Sequence, residues 1–562
     1  MKINLDLCGG QDQSILVSLE WTPLAQRQVL QFPLWTPGSY TVRDPAQHLN
    51  SLELQTADGA ALPVQRLSPN RWQVDLPDLS PLRLSYRLEA RDLTVRTAYL
   101  DSDFASLSPA AVVMEVEGFR WEQHCLSVIA PDAWQVHCPL PKGDAGWLAE
   151  DFDALIDSPI HAGPFSAQAF AVQGHRHELL LIGEPPGGWP DSFLHDIEQV
   201  CDATCQLMGT APPAGDRYQL VIQMLDSGYG GLEHDHSSVL QFSWSALAKP
   251  EGYRQLLQLV GHEYLHQWNV RRLRPVEYRP YDYGRSVVSE GLWFAEGITS
   301  YFDLALPLIA RCSDRSALLH DLGDELSRVL MTPGRSIQSL SASAQEAWIK
   351  LYKSSVVSPD SQVSYYRLGA ATAFCLDVRL RMVESSLAEL LRALWQSHGL
   401  SGRGFARADV TAWLRAVEPQ LANDLVLWLD EPDALPLHDS LALIGARLDP
   451  VPLRHPHHGL TLTDADGRVV VRRAAVGSPA RSAGLVPGDE LIAVDGRRLH
   501  EAKDLPLLLR RDQAATITYA RRRCLAETQL TPAEGIERWS LGWDSGATPE
   551  QRALRERWFQ FL

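Results

Sequence analysis

No stretch of the 562-residue chain is apolar for long enough to cross a bilayer. The first ten residues, Met-Lys-Ile-Asn-Leu-Asp-Leu-Cys-Gly-Gly, lack the apolar run and small-residue cleavage site of a secretory leader. None of the eight cysteines forms a C-x-x-C pair, so neither a thiolate zinc knuckle nor a dithiol redox motif is expected. Cys201 and Cys205 stand one helical turn apart and read as core residues. Basic residues are also in deficit: 51 Lys and Arg against 69 Asp and Glu give a net charge of −18. Nucleic-acid binding rests on clustered Lys and Arg, so this balance argues against it. These absences together lead us to expect a reduced, cytoplasmic protein with no membrane or nucleic-acid partner.

What is present starts with length, enough for three or four domains of about 150 residues. Residues 1–165 read as β-rich. Leu82, Leu84, Tyr86 and Leu88 alternate with polar neighbours, as Trp72, Val74 and Leu76 do before them. A β-sandwich-like N-terminal domain without a catalytic constellation is the expectation. From about 166, strand-like pieces (177–182, 218–225) alternate with a helical one (191–208), and 303–440 reads as mostly helical.

The densest chemistry lies at 255–269. Leu256, Leu257, Val260, Tyr264 and Leu265 recur at helical spacing around His262-Glu263-Tyr264-Leu265-His266, the pattern H-E-x-x-H. Positions i and i+4 share a helix face, so His262 and His266 can aim two imidazoles at one metal ion. Glu263 sits at the edge of that site, where a carboxylate can deprotonate a metal-activated water. Downstream, the apolar run 292–302 is broken by Glu296, a buried charge that needs a partner, and a divalent metal is one. Glu290 competes for the role but lies between Ser289 and Gly291, in loop-like sequence.

Upstream, 227–238 carries Gly228, Gly230 and Gly231, which let a backbone approach a ligand closely or turn sharply. Glu233 on this stretch either binds a substrate ammonium or is an exposed edge carboxylate. His234 and His236 follow, without the setting of a second metal site. At 364–374, Tyr365 and Tyr366 open a helix of small residues, and either hydroxyl is placed to stabilise an oxyanion or merely to stay wet. Pro450, Pro452 and Pro456 read as a linker into a compact unit at 450–535, with 536–562 as a tail helix bearing Leu554, Trp558 and Phe561 on one side.

Taken together, Trp-Thr-Pro-Gly-Ser-Tyr at 35–40, Gly-Gly-Leu-Glu-His at 230–234, His-Glu-Tyr-Leu-His-Gln-Trp-Asn at 262–269, Leu-Trp-Phe-Ala-Glu-Gly at 292–297 and Ser-Tyr-Tyr at 364–366 resemble the M61 peptidases, the glycyl aminopeptidases. The unit beginning near 452 resembles a PDZ domain through Ala483-Gly-Leu-Val-Pro-Gly-Asp-Glu-Leu-Ile-Ala-Val-Asp-Gly496. The resemblance implies a multidomain α+β chain: a β-sandwich-like domain at 1–165, a thermolysin-like zinc peptidase domain at 166–445, and a PDZ domain at 450–535. It implies one zinc ion on His262, His266 and Glu296, with Glu263 as general base. It places the substrate ammonium on Glu233 beside Gly230 and Gly231, and the oxyanion on Tyr366, with Tyr365 as rival. Leu368 stands where related aminopeptidases carry the lysine of Tyr-x-Lys-Gly. The function expected is zinc-dependent removal of small N-terminal residues from peptides. A zinc endopeptidase, or a PDZ-bearing peptide scaffold with a vestigial site, is the alternative. PDZ units take a peptide C-terminus or extended strand, with 459–462 as the candidate carboxylate loop.

Overall fold

The computed structural model describes residues 1–562. Its N-terminal part is built of sheets. The longest has eight strands and includes Lys2–Asp6, Ser14–Trp21, Leu82–Glu89 and Leu49–Thr56. The alternation in 82–88 is a strand face: Leu82, Leu84, Tyr86 and Leu88 are all buried. A four-stranded sheet containing Arg27–Gln31 and Arg71–Asp75 contributes Trp72 and Val74 to the same core. Phe32, just past the first of these strands, meets Tyr86 edge-on at 5.8 Å. This is the expected sheet-rich domain. It does not close on itself, because its apolar face continues without a break into the helical region.

The second region starts with a five-stranded sheet in the order Gln168–Val172, His175–Ile182, Tyr218–Leu225, Ser237–Ser243, Tyr229–Glu233. The Gly-rich strand is thus the edge strand, paired antiparallel to Ser237–Ser243 and open on its other side. Helix Phe193–Met208 buries Cys201 and Cys205, as core residues should be. Helix Gly252–Leu265 packs between that helix and Ile298–Ile309. The crossing is so close that a Cβ on Gly261 would lie 2.7 Å from Leu306 Cδ1. Gly297 and Gly369 make a similar contact, a Cβ on Gly297 meeting Gly369 Cα at 2.5 Å. Small residues there bring the segment carrying Glu296 against helix Tyr365–Met382.

The C-terminal unit, expected from its sequence to be a PDZ domain, has its own small core, including Val469, Val471, Leu485, Leu491, Val494 and Ile517. The segment expected as a Pro-rich linker is instead a strand, Ala446–Pro452, paired antiparallel with Ile536–Trp543. That second strand occupies the start of the region assigned to a tail helix. The signal was present as the alternation Trp539, Leu541, Trp543, whose partners are Pro450, Leu448 and Ala446. Proline is tolerated because this is a two-stranded ribbon, where an edge position needs no amide donor. The ribbon presses on helix Arg315–Leu330, where a Cβ on Gly323 would lie 2.8 Å from Leu541 Cβ. The tail helix is shorter than expected, Pro549–Trp558, but Leu554, Trp558 and Phe561 are buried as read. In the candidate carboxylate loop the Leu460 amide donates to His458 Nδ1 at 3.0 Å. No helix of the chain is long and apolar enough to cross a membrane.

Two histidines of the N-terminal sheets give the fold a pH dependence. Burial holds His161 down to about 3, helped by His137 and His234, and holds His124 down to about 4. Neither has a hydrogen-bond partner for its ring nitrogens. In the unfolded chain both titrate at their ordinary value, near 6.5. Below that pH the unfolded state binds protons that the folded state refuses, so stability falls as pH drops from 6.5 toward 4. Each buried ring is expected to cost on the order of 2–3 kcal/mol near pH 4.5. Urea midpoints measured at pH 6.5 and pH 4.5 should therefore differ clearly, the lower pH being the less stable.

Candidate active site

Helix Gly252–Leu265 ends so that His262 lies in its last turn and His266 is its C-cap. Each imidazole is fixed from behind. His262 Nδ1 donates to Asp303 Oδ2 at 2.8 Å, and His266 Nδ1 donates to the Asn269 carbonyl at 2.7 Å. With Nδ1 so engaged, the free nitrogen of each ring is Nε2, and both point at Glu296 Oε2, 3.5 and 3.2 Å away. Glu296 is 2% exposed. It sits in one turn of π-helix, Trp293–Gly297, immediately before Ile298–Ile309. Turns of this kind widen the backbone and re-aim a side chain.

Asn269 holds that turn. Its side-chain amide donates to the Phe294 and Ala295 carbonyls and to Thr299 Oγ1, at 3.2, 2.9 and 3.1 Å. Sequence reasoning passed over Asn269, Asp303 and Thr299. For Asn269 and Thr299 the signal was weak, since a backbone carbonyl as a partner leaves no residue-type signature, and Asp303 meets His262 from 41 positions away in the chain. Glu290, the competitor for Glu296, lies in the preceding loop and pairs with Arg407.

Glu263 faces the same point. It is 4% exposed, and its Oε2 has no hydrogen-bond partner. Burial pushes it up to about 7; Glu233 and Glu296 add to this and the two imidazoles oppose it. Gly231 makes room for it, for a Cβ there would lie 2.1 Å from Glu263 Oε1. The glycine is therefore required by a neighbouring carboxylate as well as by the open strand edge.

Glu233 is not an exposed edge residue. It is 3% exposed, and its Oε1 is also unpartnered. The loop 35–40 reaches over from the N-terminal domain to cover it. Gly38, at φ +82°, is so close that a Cβ would sit 2.6 Å from both carboxylate oxygens. Arg96, from the same domain, donates from Nη2 to the Gly231 carbonyl at 2.9 Å. Neither Gly38 nor Arg96 was marked from the sequence as a site residue.

These groups line one cleft of about 520 Å³, within the usual range of ligand sites. Tyr366 lines it too, half-buried, while Tyr365 is fully buried behind. The hydroxyl of Tyr352 lies 2.9 Å from that of Tyr366 and 3.2 Å from that of Tyr365. His234 and His236 stay out of the cleft. His234 Nδ1 pairs with Asp157 Oδ1 at 2.9 Å in a buried cluster with Arg271, which reaches Asp157 at 2.8 Å and Asp235 at 2.9 Å.

The donor set fits a divalent cation. His262, His266 and Glu296 offer three ligand atoms within 4.8 Å of one another, two nitrogens and one oxygen, the composition of open zinc sites. The electrostatics point the same way. Burial opposes charge on His266, yet Glu296 and Glu233 raise it to about 9, and Asp303 and Glu296 hold His262 well above its ordinary value. Burial likewise opposes charge on Glu296, but the two imidazoles bring it down to about 2. Glu233, Glu263, Glu296 and Asp303 thus draw positive charge into a closed space. A divalent ion and one ammonium are of the right charge to meet that demand.

Asp157 provides a separate check on how the cleft is held. Replacing Arg271 by Met removes the guanidinium from between Asp157 and Asp235, leaving buried Asp157 with only His234 and the Asp235 amide. Removing one partner of a buried ion pair is expected to cost about 3–5 kcal/mol, measured by chemical denaturation.

A family model described as the Peptidase M61 N-terminal domain matches residues 2–164, one described as M61 glycyl aminopeptidase matches 255–372, and one described as a PDZ domain matches 470–521. Among solved structures, an aminopeptidase N family protein from Idiomarina loihiensis is 29% identical, with a TM-score of 0.90 over 100% of this chain and 99% of that one. An M1 zinc metallopeptidase from Deinococcus radiodurans is 14% identical, with a TM-score of 0.48 over 78% of this chain and 94% of that one. No curated protein matches.

Proposed function

We propose that this chain, which belongs to the M61 peptidases and carries a PDZ domain, is a zinc-dependent aminopeptidase that removes small N-terminal residues from peptides. The observation that carries this reading is the buried carboxylate of Glu233, whose Oε1 has no hydrogen-bond partner and which lies with Glu263 and His266 in a group of ligand atoms within 4.8 Å of one another. A carboxylate buried without a cation is costly, and a peptide's α-ammonium is a cation of the right kind to enter. The loop 35–40 closes the cleft beyond Glu233, which favours binding a chain end over binding the middle of a chain. That argues against an endopeptidase. The intact ligand set and base argue against a vestigial site. A preference for glycine follows the description of the matched family, and alanine is the next smallest residue that the same site would take.

In this reading His262, His266 and Glu296 hold the zinc ion, which when bound supplies Lewis-acid polarisation of the scissile carbonyl and acidifies a water. Glu233 anchors the ammonium and so sets the cut after one residue. Glu263, raised toward neutrality by burial, takes the proton from the attacking water and returns it to the departing amine. Tyr366, in the cleft and tied to Tyr352, donates its hydroxyl to the oxyanion. The open edge of Tyr229–Glu233 pairs with the peptide backbone, with Gly230 and Gly231 allowing close approach. For the PDZ unit, a peptide C-terminus at 459–462 would displace His458 from the Leu460 amide.

Metal analysis of purified protein should give about one zinc per chain. His262→Ala and Glu296→Ala are expected to lose it. Glu263→Gln should keep the zinc and lose roughly a hundred-fold or more in kcat, since the base is not a ligand. Loss of zinc from Glu263→Gln would show that the roles are misassigned.

Glu233→Gln should retain zinc and fold. Its kcat/KM on free-N-terminal substrates is expected to fall about ten- to a hundred-fold, the worth of one charge-assisted contact. N-acetylated peptides should be poor substrates for wild type and relatively less disfavoured in the variant. Full aminopeptidase activity in Glu233→Gln would remove the basis of the reading.

A further inference from the structure

The cleft carries charge at its far end that the chemistry above leaves unused. Arg328, on helix Arg315–Leu330, and Arg367, on helix Tyr365–Met382, both line it. Both turn to the same acid. Arg367 Nε lies 3.4 Å from Glu325 Oε2, and Arg328 Nη1 bonds Glu325 Oε1. Neither guanidinium has another carboxylate within salt-bridge distance, and the nearby Asp303 is engaged by His262. Two cations on one anion leave a surplus positive charge, in a chain whose net charge is −18.

The same two arginines separate the cleft from an adjoining hollow of about 200 Å³. Ser354, Ser355, Ser358 and Ser364 line it. Guanidinium forks and hydroxyl donors together are the chemistry that binds a carboxylate.

The direction of the edge strand says which carboxylate. Glu233 is at one end of Tyr229–Glu233, and Tyr229 at the other end lines the cleft together with Arg328 and Arg367. Strands rise about 3.3 Å per residue, so the two ends lie roughly 13 Å apart. A peptide extended along this edge with its ammonium on Glu233 comes level with the arginines after about three or four residues.

We propose that Arg328 and Arg367 receive the C-terminal carboxylate of tri- and tetrapeptides, making short peptides with both ends free the substrate class of this cleft. This rests on the aminopeptidase reading, which fixes where the ammonium lies. The two residues act on specificity and touch no reacting atom.

The test compares kcat/KM for trialanine and tetra-alanine with that for their C-terminal amides, using alanine p-nitroanilide as a control in the wild type. The free acids are expected to exceed the amides by about ten- to a hundred-fold. In Arg328→Gln and in Arg367→Gln that ratio should fall toward one. Both substrates meet the same folded molecules, so partial misfolding cancels from the ratio. Equal rates for acid and amide in the wild type, with alanine p-nitroanilide turned over, would overturn this inference and leave the aminopeptidase reading standing. A large ratio that survives both substitutions would overturn it too, leaving Arg328 and Arg367 as surface ion pairs only. No turnover of any substrate by zinc-loaded wild type would defeat the aminopeptidase reading itself, and this inference with it.

Discussion

One buried amide holds the centre of this molecule together. Asn269 accepts a hydrogen bond from His266 Nδ1 on its backbone carbonyl and, through its side-chain amide, donates to two carbonyls of the π-turn that presents Glu296. Two of the three candidate ligands are therefore positioned by one residue that touches neither cleft nor substrate. One residue thus couples the position of His266 to that of the turn carrying Glu296. His262 is placed independently, by Asp303 on the next helix. Rigid support behind the contacting atoms is what distinguishes a preorganised site from a chance cluster.

Around that centre the charges are arranged as a deficit. Buried carboxylates gather along the cleft, and two of their oxygens, Glu233 Oε1 and Glu263 Oε2, have no hydrogen-bond partner in the protein. Such an arrangement is unfavourable for the isolated fold and becomes favourable when cations arrive. Stability given up locally is recovered as binding. The cost is borne by a large surrounding core, continuous from the first strand to Phe561, which the acidic cluster does not interrupt.

Much of this was legible in the sequence, for reasons that differ from residue to residue. His262, Glu263 and His266 announce themselves because helical spacing maps directly onto three dimensions. Glu296 is visible because a lone acid in an apolar run demands a partner. The strand at 82–89 follows from strict alternation. Asn269, Gly38 and Arg96 were not visible, because their meaning lies in contacts with residues far away in the chain: Gly38 is 195 positions from the glutamate it covers. The strand Ile536–Trp543 was missed although its tryptophans alternate, since Gly542 and nearby charges dilute the pattern and the partner strand lies on the other side of a whole domain. Pro450 and Pro452 suggested a linker because proline is rare in the middle of sheets, and the ribbon has no middle.

That ribbon has a further meaning. The chain leaves the catalytic body along Ala446–Pro452 and returns along Ile536–Trp543, with the Leu453 amide bonded to the Gly535 carbonyl at 2.8 Å. Exit and entry are thus neighbours, and everything between them is in effect the loop of a hairpin. After the return, Trp558 is buried in the main core and donates from Nε1 to the Tyr301 hydroxyl at 2.8 Å. Excising the intervening piece and joining the two strands by a short turn keeps the hairpin, but it takes Arg473 away from Asp360 of the body. The PDZ unit is therefore tied to the body at two places, the ribbon and the Arg473–Asp360 pair, so its ends are fixed side by side while its orientation depends on one ion pair.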